Sequence, residues 1–114
     1  MSKRGDKELL TDIAESCRRI LYYIKGKSYD GFFKDNKTQD AVVRNLEIIG
    51  EAAKNISNEL KQKSKKIPWK NIAGTRDRLI HGYFGINYDI VWSIIKKEIP
   101  KIVVQINSLT KGLS

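Results

Sequence analysis

One short stretch concentrates the residues able to do chemistry: Gly74-Thr75-Arg76-Asp77-Arg78-Leu79-Ile80-His81-Gly82-Tyr83-Phe84-Gly85. It holds the chain's single His. An imidazole with a reference pKa of about 6.5 can move protons at neutral pH. A guanidinium offers a fixed fork of donors that suits phosphate oxygens. Such parts fit cleavage of RNA by its own 2′-hydroxyl. That reaction removes one proton, donates another and stabilises a phosphorane as it gains negative charge. It requires no metal. On one ideal helix, Arg76 and His81 would point about 140° apart with ~7.5 Å of rise between them. A long Arg and a His at a glycine-loosened helix end could still converge on one cleft. One His cannot readily serve as both base and acid. A two-fold dimer would bring two copies of each residue to one cleft. Spacing alone leaves open a His that only caps or packs.

The approach to this stretch is basic. Residues 54–78 carry Lys54, Lys61, Lys63, Lys65, Lys66, Lys70, Arg76 and Arg78 against Glu59 and Asp77. Six of the nine net positive charges of the chain therefore fall in this segment. Lys61, Lys63, Lys65, Lys66, Lys70 and Arg78 are candidate contacts for RNA phosphates. A solvated helix face with a lysine-rich loop is the plainer reading.

The elements that must position these residues are helical. Asp6 is placed to cap a first helix, with Glu8 in its first turn. Leu10, Ile13, Cys17, Ile20, Leu21 and Ile24 form its apolar stripe, and Gly26 is a stop. Cys17 sits on that stripe and reads as a core residue. Ser28 to Phe33 reads as a capped turn within a short helical segment near 28–35. A longer helix begins near Lys37-Thr38. Its seam of Val42, Leu46, Ile49, Ala53, Ile56 and Leu60 has the spacing of a helical bundle. Gly50 would permit a close helix approach, with a subunit contact as one candidate. Lys61 to Lys66 reads as a loop. Pro68 opens a third helix running through Trp69, Ile72, Leu79 and Ile80 into Gly82. A final helix from near Tyr88 uses Ile95, Ile99, Ile102, Ile106, Leu109 and Leu113. Pro100 predicts a kink or break in it, and the remaining tail is expected to fray. The expected fold is all-α: an antiparallel up-and-down four-helix bundle in one domain over 1–114, ordered from about 7 to 110.

Composition removes other classes. The chain has 114 residues, 22 Lys+Arg against 13 Asp+Glu, and 40% hydrophobic residues. One Cys excludes an intramolecular disulfide, and one Cys with one His leaves too few ligands for a structural zinc site. No apolar run approaches the ~20 residues needed to span a bilayer. Thr11, Asp12 and Glu15 interrupt any signal-peptide core. A cytoplasmic location without membrane association is expected.

The segment Arg76-Asp77-Arg78-Leu79-Ile80-His81-Gly82-Tyr83 resembles the Arg-x4-His-x-Tyr motif of HepT-type HEPN toxins. The flanks are similar too: Ala41-Val42-Val43-Arg44-Asn45-Leu46-Glu47-Ile48-Ile49-Gly50-Glu51-Ala52, Pro68-Trp69, and Tyr88-Asp89-Ile90-Val91-Trp92. The resemblance spans about residues 7 to 110. It implies a HEPN-like bundle and a metal-independent endoribonuclease. Paired motifs would line a cleft in a homodimer, which can sit in a larger hetero-oligomer. It implies Arg76 and His81 as catalytic and Asp77 as supporting. It also implies a toxin–antitoxin system with an MntA-like nucleotidyltransferase, which uses ATP to attach AMP to Tyr83. Glu47 and Glu51 could support the site, although solvation or a subunit contact fits them better. Two other readings stay open. One is a non-catalytic, basic RNA-binding or partner-regulating module. The other is a chain that serves only as the nucleotidyltransferase's substrate.

Overall fold

In the computed structural model, residues 4–80 and 85–113 are described, and among them the architecture is all-α. Eight α-helices follow in order. They are α1 (Asp6–Ile24), α2 (Tyr29–Phe33), α3 (Asn36–Asn55), α4 (Asn58–Lys63), α5 (Trp69–Ala73), α6 (Thr75–Leu79), α7 (Tyr88–Ser93) and α8 (Ile99–Gly112). A π-helical segment, Ile94–Glu98, joins α7 to α8. The bundle is formed by α1, α3, the α5–α6 pair and the α7–α8 run. Helix α1 packs on both α3 and α8, while α3 also carries α5 and α6. Apart from Ile80 and Leu113, which are exposed, the predicted stripes join in one core, in which Leu10, Ile13, Cys17, Ile20, Val42, Leu46, Ile49, Ile95, Ile99 and Ile106 are essentially inaccessible. Its burial from water is the main driving force for the fold.

The starts and stops follow local chemistry. Helix α1 ends at Ile24, and Gly26 follows at φ +75°, a left-handed position that glycine occupies without penalty. Ser28 caps α2 by accepting from the Gly31 amide at 3.0 Å. Asp35 caps α3 through Thr38. Hydrogen bonds from Thr38 and Lys27 hold its carboxyl well below the usual carboxylate range.

Several local expectations need correction, among them the loop at Lys61 to Lys66, whose first three residues are the end of α4. Gly5, not Asp6, is the N-cap of α1. Asp6 instead accepts from the Ser57 amide at 2.9 Å and its hydroxyl at 2.6 Å, joining the start of α1 to the turn after α3. That turn divides the predicted long helix. Ile56 is extended, and the Ser57 hydroxyl caps α4 by accepting from the Leu60 amide. All six seam residues are still buried. The third helix is likewise divided at Gly74 and stops at Leu79 rather than reaching Gly82. Finally, Pro100 makes no sharp break. Its missing N–H falls in the first turn of α8, just after the π segment, where the Ile99 amide bonds the Ile94 carbonyl. The tail stays helical as far as Gly112.

Gly50 has an intramolecular role. A Cβ there would stand 3.4 Å from the Ile72 carbonyl oxygen and 3.9 Å from the Thr75 Cβ. The missing side chain lets α5 and α6 lie close on α3, so the close approach is within the chain.

Candidate active site

Helix α6 is one turn and a half long, and it carries Arg76, Asp77 and Arg78. Its start is tied down by the buried Thr75 hydroxyl, which donates to the Ile72 carbonyl at 2.6 Å. Leu79, buried, anchors its end. Ile80 then leaves the helix at φ −87°, ψ 129° and forms an isolated antiparallel bridge with Ile86. The Asn87 amide donates to the Leu79 carbonyl at 2.8 Å. The Asn87 side chain caps α7 by accepting from the Asp89 and Ile90 amides. The end of α6 and the start of α7 are thus held side by side. His81 and Tyr83 lie outside the described residues. The helical estimate of how Arg76 and His81 face one another does not hold, because the helix ends between them.

Arg76 and Arg78, two apart, point about 200° apart on α6 and enter different environments. Arg78 is half-buried and bidentate to Glu98, at 2.9 Å and 2.6 Å. That pairing raises its pKa. Asn71 also donates to Glu98, at 3.5 Å. With Pro68, Trp69, Lys70, Asn71 and Gly74, Arg78 lines an open groove of about 570 Å³. Arg76 is exposed and has no hydrogen-bond or ion-pair partner among the described residues. It lines a second groove, about 760 Å³, between α1 and α3. Leu9, Ile48 and Ala52 lie in that groove, together with the cations Arg4, Arg44 and Arg76 and the anions Asp12, Glu47 and Glu51. Arg4 is paired with Asp12 at 2.9 Å. Glu51 accepts from Asn55 at 3.1 Å. Asp77 is exposed beside Arg76.

The structure therefore gathers Arg76, Glu47 and Glu51 in one groove, and Lys70 and Arg78 in another. Lys65 and Lys66 are exposed, Lys61 is half-buried, and Lys63 is exposed and paired with Glu59 at 3.2 Å. Arg44 was not singled out as a functional candidate from the sequence, yet it lines the Arg76 groove. The signal was there: Arg44, Glu47, Ile48, Glu51, Ala52 and Asn55 form a second stripe of α3 at steps of three and four. It was hidden because a charged stripe usually means solvent. Among the described residues, no group of three or more His, Cys, Asp or Glu is placed to hold a metal ion. Nor is any helix among them long and apolar enough to cross a membrane.

The described residues form a helical bundle, and the sequence carries Arg-x4-His-x-Tyr from Arg76 on α6 onward; comparison with known proteins gives the class. The Ribonuclease HepT-like family model matches residues 13–109. A Thermococcus cleftensis protein named "Probable ribonuclease HepT" is 43% identical over 109 residues, covering 96% of this chain and 99% of its own. A candidate RNase of Caldanaerobacter subterraneus subsp. tengcongensis is 48% identical over 100 residues, with 88% and 89% covered. A candidate RNase of Methanocaldococcus jannaschii is 42% identical over 113 residues, with 99% and 93% covered. No solved structure matches. The chain belongs to the HepT-like ribonuclease family.

Proposed function

We propose that this chain is the toxin of a toxin–antitoxin system and cleaves RNA without a metal, using Arg76 and His81 at a cleft between two copies. The observation that carries this reading is Arg76: an exposed guanidinium without a partner among the described residues, five positions before the only His, on the wall of an open groove. An exposed surface arginine is ordinary. One fixed on a short anchored helix, as the first residue of the family motif, is suited to a phosphate. His81 takes the proton of the RNA 2′-hydroxyl or returns one to the leaving 5′-oxygen. The 2′-oxygen attacks phosphorus, the P–O5′ bond breaks, and the products are a 2′,3′-cyclic phosphate and a 5′-hydroxyl. Arg76 stabilises the extra negative charge of the phosphorane. Asp77 supports the orientation of one of the two.

Each chain supplies one His, whereas the reaction needs a base and an acid. A second copy supplies the other. The Arg76 groove suits such a copy, because its apolar residues and its balanced set of three arginines and three carboxylates are self-complementary under a two-fold axis. An MntA-like nucleotidyltransferase silences the enzyme by transferring AMP from ATP to Tyr83. The added phosphodiester occupies the anion site and repels RNA.

The test is cleavage of single-stranded RNA in EDTA by wild type, Arg76→Ala and His81→Ala. Loss of about 10²-fold or more in both variants is expected. Undiminished cleavage by His81→Ala overturns the mechanism. Binding that persists without any cleavage returns the chain to a non-catalytic module. For the partner, co-expression with the nucleotidyltransferase is expected to add AMP mass to wild type and none to Tyr83→Phe.

A further inference from the structure

Helix α2 and helix α7 build an aromatic cluster: Tyr29, Phe32, Phe33, Tyr88 and Trp92. Phe32 is fully buried and stands 5.2 Å from the Trp92 ring and 6.4 Å from Tyr88, centre to centre. That residue anchors α2. Tyr29 and Phe33 lie outside it, 5.7 Å apart, with Tyr29 6.0 Å from Trp92. They are 37% and 51% exposed, so their ring surfaces are only partly used in packing. The Tyr29 hydroxyl donates to Asp89, which fixes its ring and offsets that carboxylate. Lys96 Nζ sits 5.3 Å from the Trp92 ring centre. Lys34 and Lys97 are exposed on the flanking residues; Asp30 is the exposed carboxylate on α2, and Lys27 is paired with Asp35 at 2.9 Å.

We propose that Tyr29, Phe33 and Trp92, with Lys96, form a stacking platform for bases of single-stranded RNA, and that it places the strand for the motif next to it. Two observations carry this. Accessible aromatic rings interleaved with lysines form the surface that binds single strands without sequence preference: the rings stack on bases and the ammonium groups meet phosphates. The platform is also tied through α7 to the end of α6, the helix that carries Arg76. Asp89, which holds Tyr29, is two residues beyond Asn87, and Asn87 is bonded to Leu79 at the end of α6. A strand with its scissile phosphate at Arg76 thus has an aromatic surface on the α7 side, on a protein whose net charge is +9. Single-stranded RNA is favoured over a second copy of the chain, because the protein-facing groove with balanced charge lies elsewhere, between α1 and α3.

This inference rests on the RNase reading, and the test separates the two. The probe is a fluorescently labelled 2′-O-methyl oligouridine, which lacks the attacking hydroxyl and so stays intact with active protein. Binding is followed by polarisation and by quenching of tryptophan emission, alongside cleavage of the matching RNA. Phe33→Ala and Lys96→Ala are expected to weaken binding of the probe about five-fold or more, and Phe33→Tyr to restore it. Both changes are at exposed positions, and sedimentation checks that the oligomeric state is kept. Wild-type affinity in Phe33→Ala and Lys96→Ala overturns the platform while leaving cleavage to stand. Altered sedimentation without altered RNA affinity also overturns it and marks the patch as a protein contact. Binding that depends on Phe33 in a protein that cuts no RNA supports the platform and removes the RNase reading alone.

Discussion

At the scale of single residues, Arg76 and Arg78 make opposite predictions. The exposed Arg76 guanidinium has no hydrogen-bond or ion-pair partner among the described residues, so Arg76→Ala should leave the urea midpoint nearly unchanged while cleavage falls about 10²–10³-fold. Arg78 holds the half-buried Glu98 through two charge-assisted bonds, which join α6 to the end of the π segment. Arg78→Ala should cost about 1 kcal/mol of stability after allowance for partial exposure. Its effect on cleavage should be the smaller of the two. Reversal of this pattern would mean that Arg78 is the phosphate-binding residue. Cys17 gives a pH prediction. Burial pushes its thiol up to about 12, with Arg18 opposing weakly. The folded state therefore holds a proton that the unfolded chain releases near pH 9. The stability from the neutral buried thiol is complete below about pH 9 and falls as pH rises toward 12. Urea midpoints measured between pH 9 and 11 should decline more steeply for wild type than for Cys17→Ala.

At the scale of elements, the short helices are held by a few specific contacts. Helix α6 is too short to be stable alone. Its place on α3 depends on Gly50, whose missing side chain admits the Ile72 carbonyl and Thr75. Gly50→Ala should stabilise slightly, by up to about 1 kcal/mol, since a Cβ 3.4 Å from the Ile72 carbonyl oxygen is in ordinary contact and Ala has the better helix propensity. Gly50→Leu should cost about 1–3 kcal/mol by overpacking and should lower cleavage by moving α6. Thermal melts with parallel RNA assays test both. A Gly50→Leu protein with native stability and activity would show that this approach is dispensable. The seam of α3 illustrates how legible an element can be in part. Its six apolar positions are buried as the heptad spacing requires. The division of the helix at Ile56 depends on Asp6, fifty-one residues from Ser57, and no local pattern carries that contact.

At the scale of the whole molecule, the single His per chain and the charge-balanced groove between α1 and α3 support the proposed dimer. The protein should sediment as a dimer of the 13.1 kDa chain. Ile48→Asp, placing a charge among the groove's apolar residues, should yield monomers that fold but do not cleave RNA. Heterodimers of wild type with His81→Ala should lose most of their activity, because the shared cleft then holds one imidazole for two proton transfers. Half of the wild-type rate or more, with heterodimers verified by mass, would place a complete catalytic set within a single chain.

The helical class, most of the core and the types of reactive side chain are legible in the residues alone. Those follow from local rules: apolar residues at steps of three and four must share a face, Ser28 and Asp35 compete for helix-end amides, and Arg-x4-His-x-Tyr has a characteristic composition. The tertiary structure decided which way that chemistry faces. Charge counting placed Arg76, Arg78 and the lysines on one approach. Packing turned Arg78 toward Glu98 and Lys70 into one groove, and Arg76 toward the arginine and glutamates of α3. The reason is geometric. A helix of one and a half turns presents successive arginines to opposite sides, and the break at Gly74 and the exit at Ile80 set its rotation. Contacts with residues distant in sequence fix that rotation.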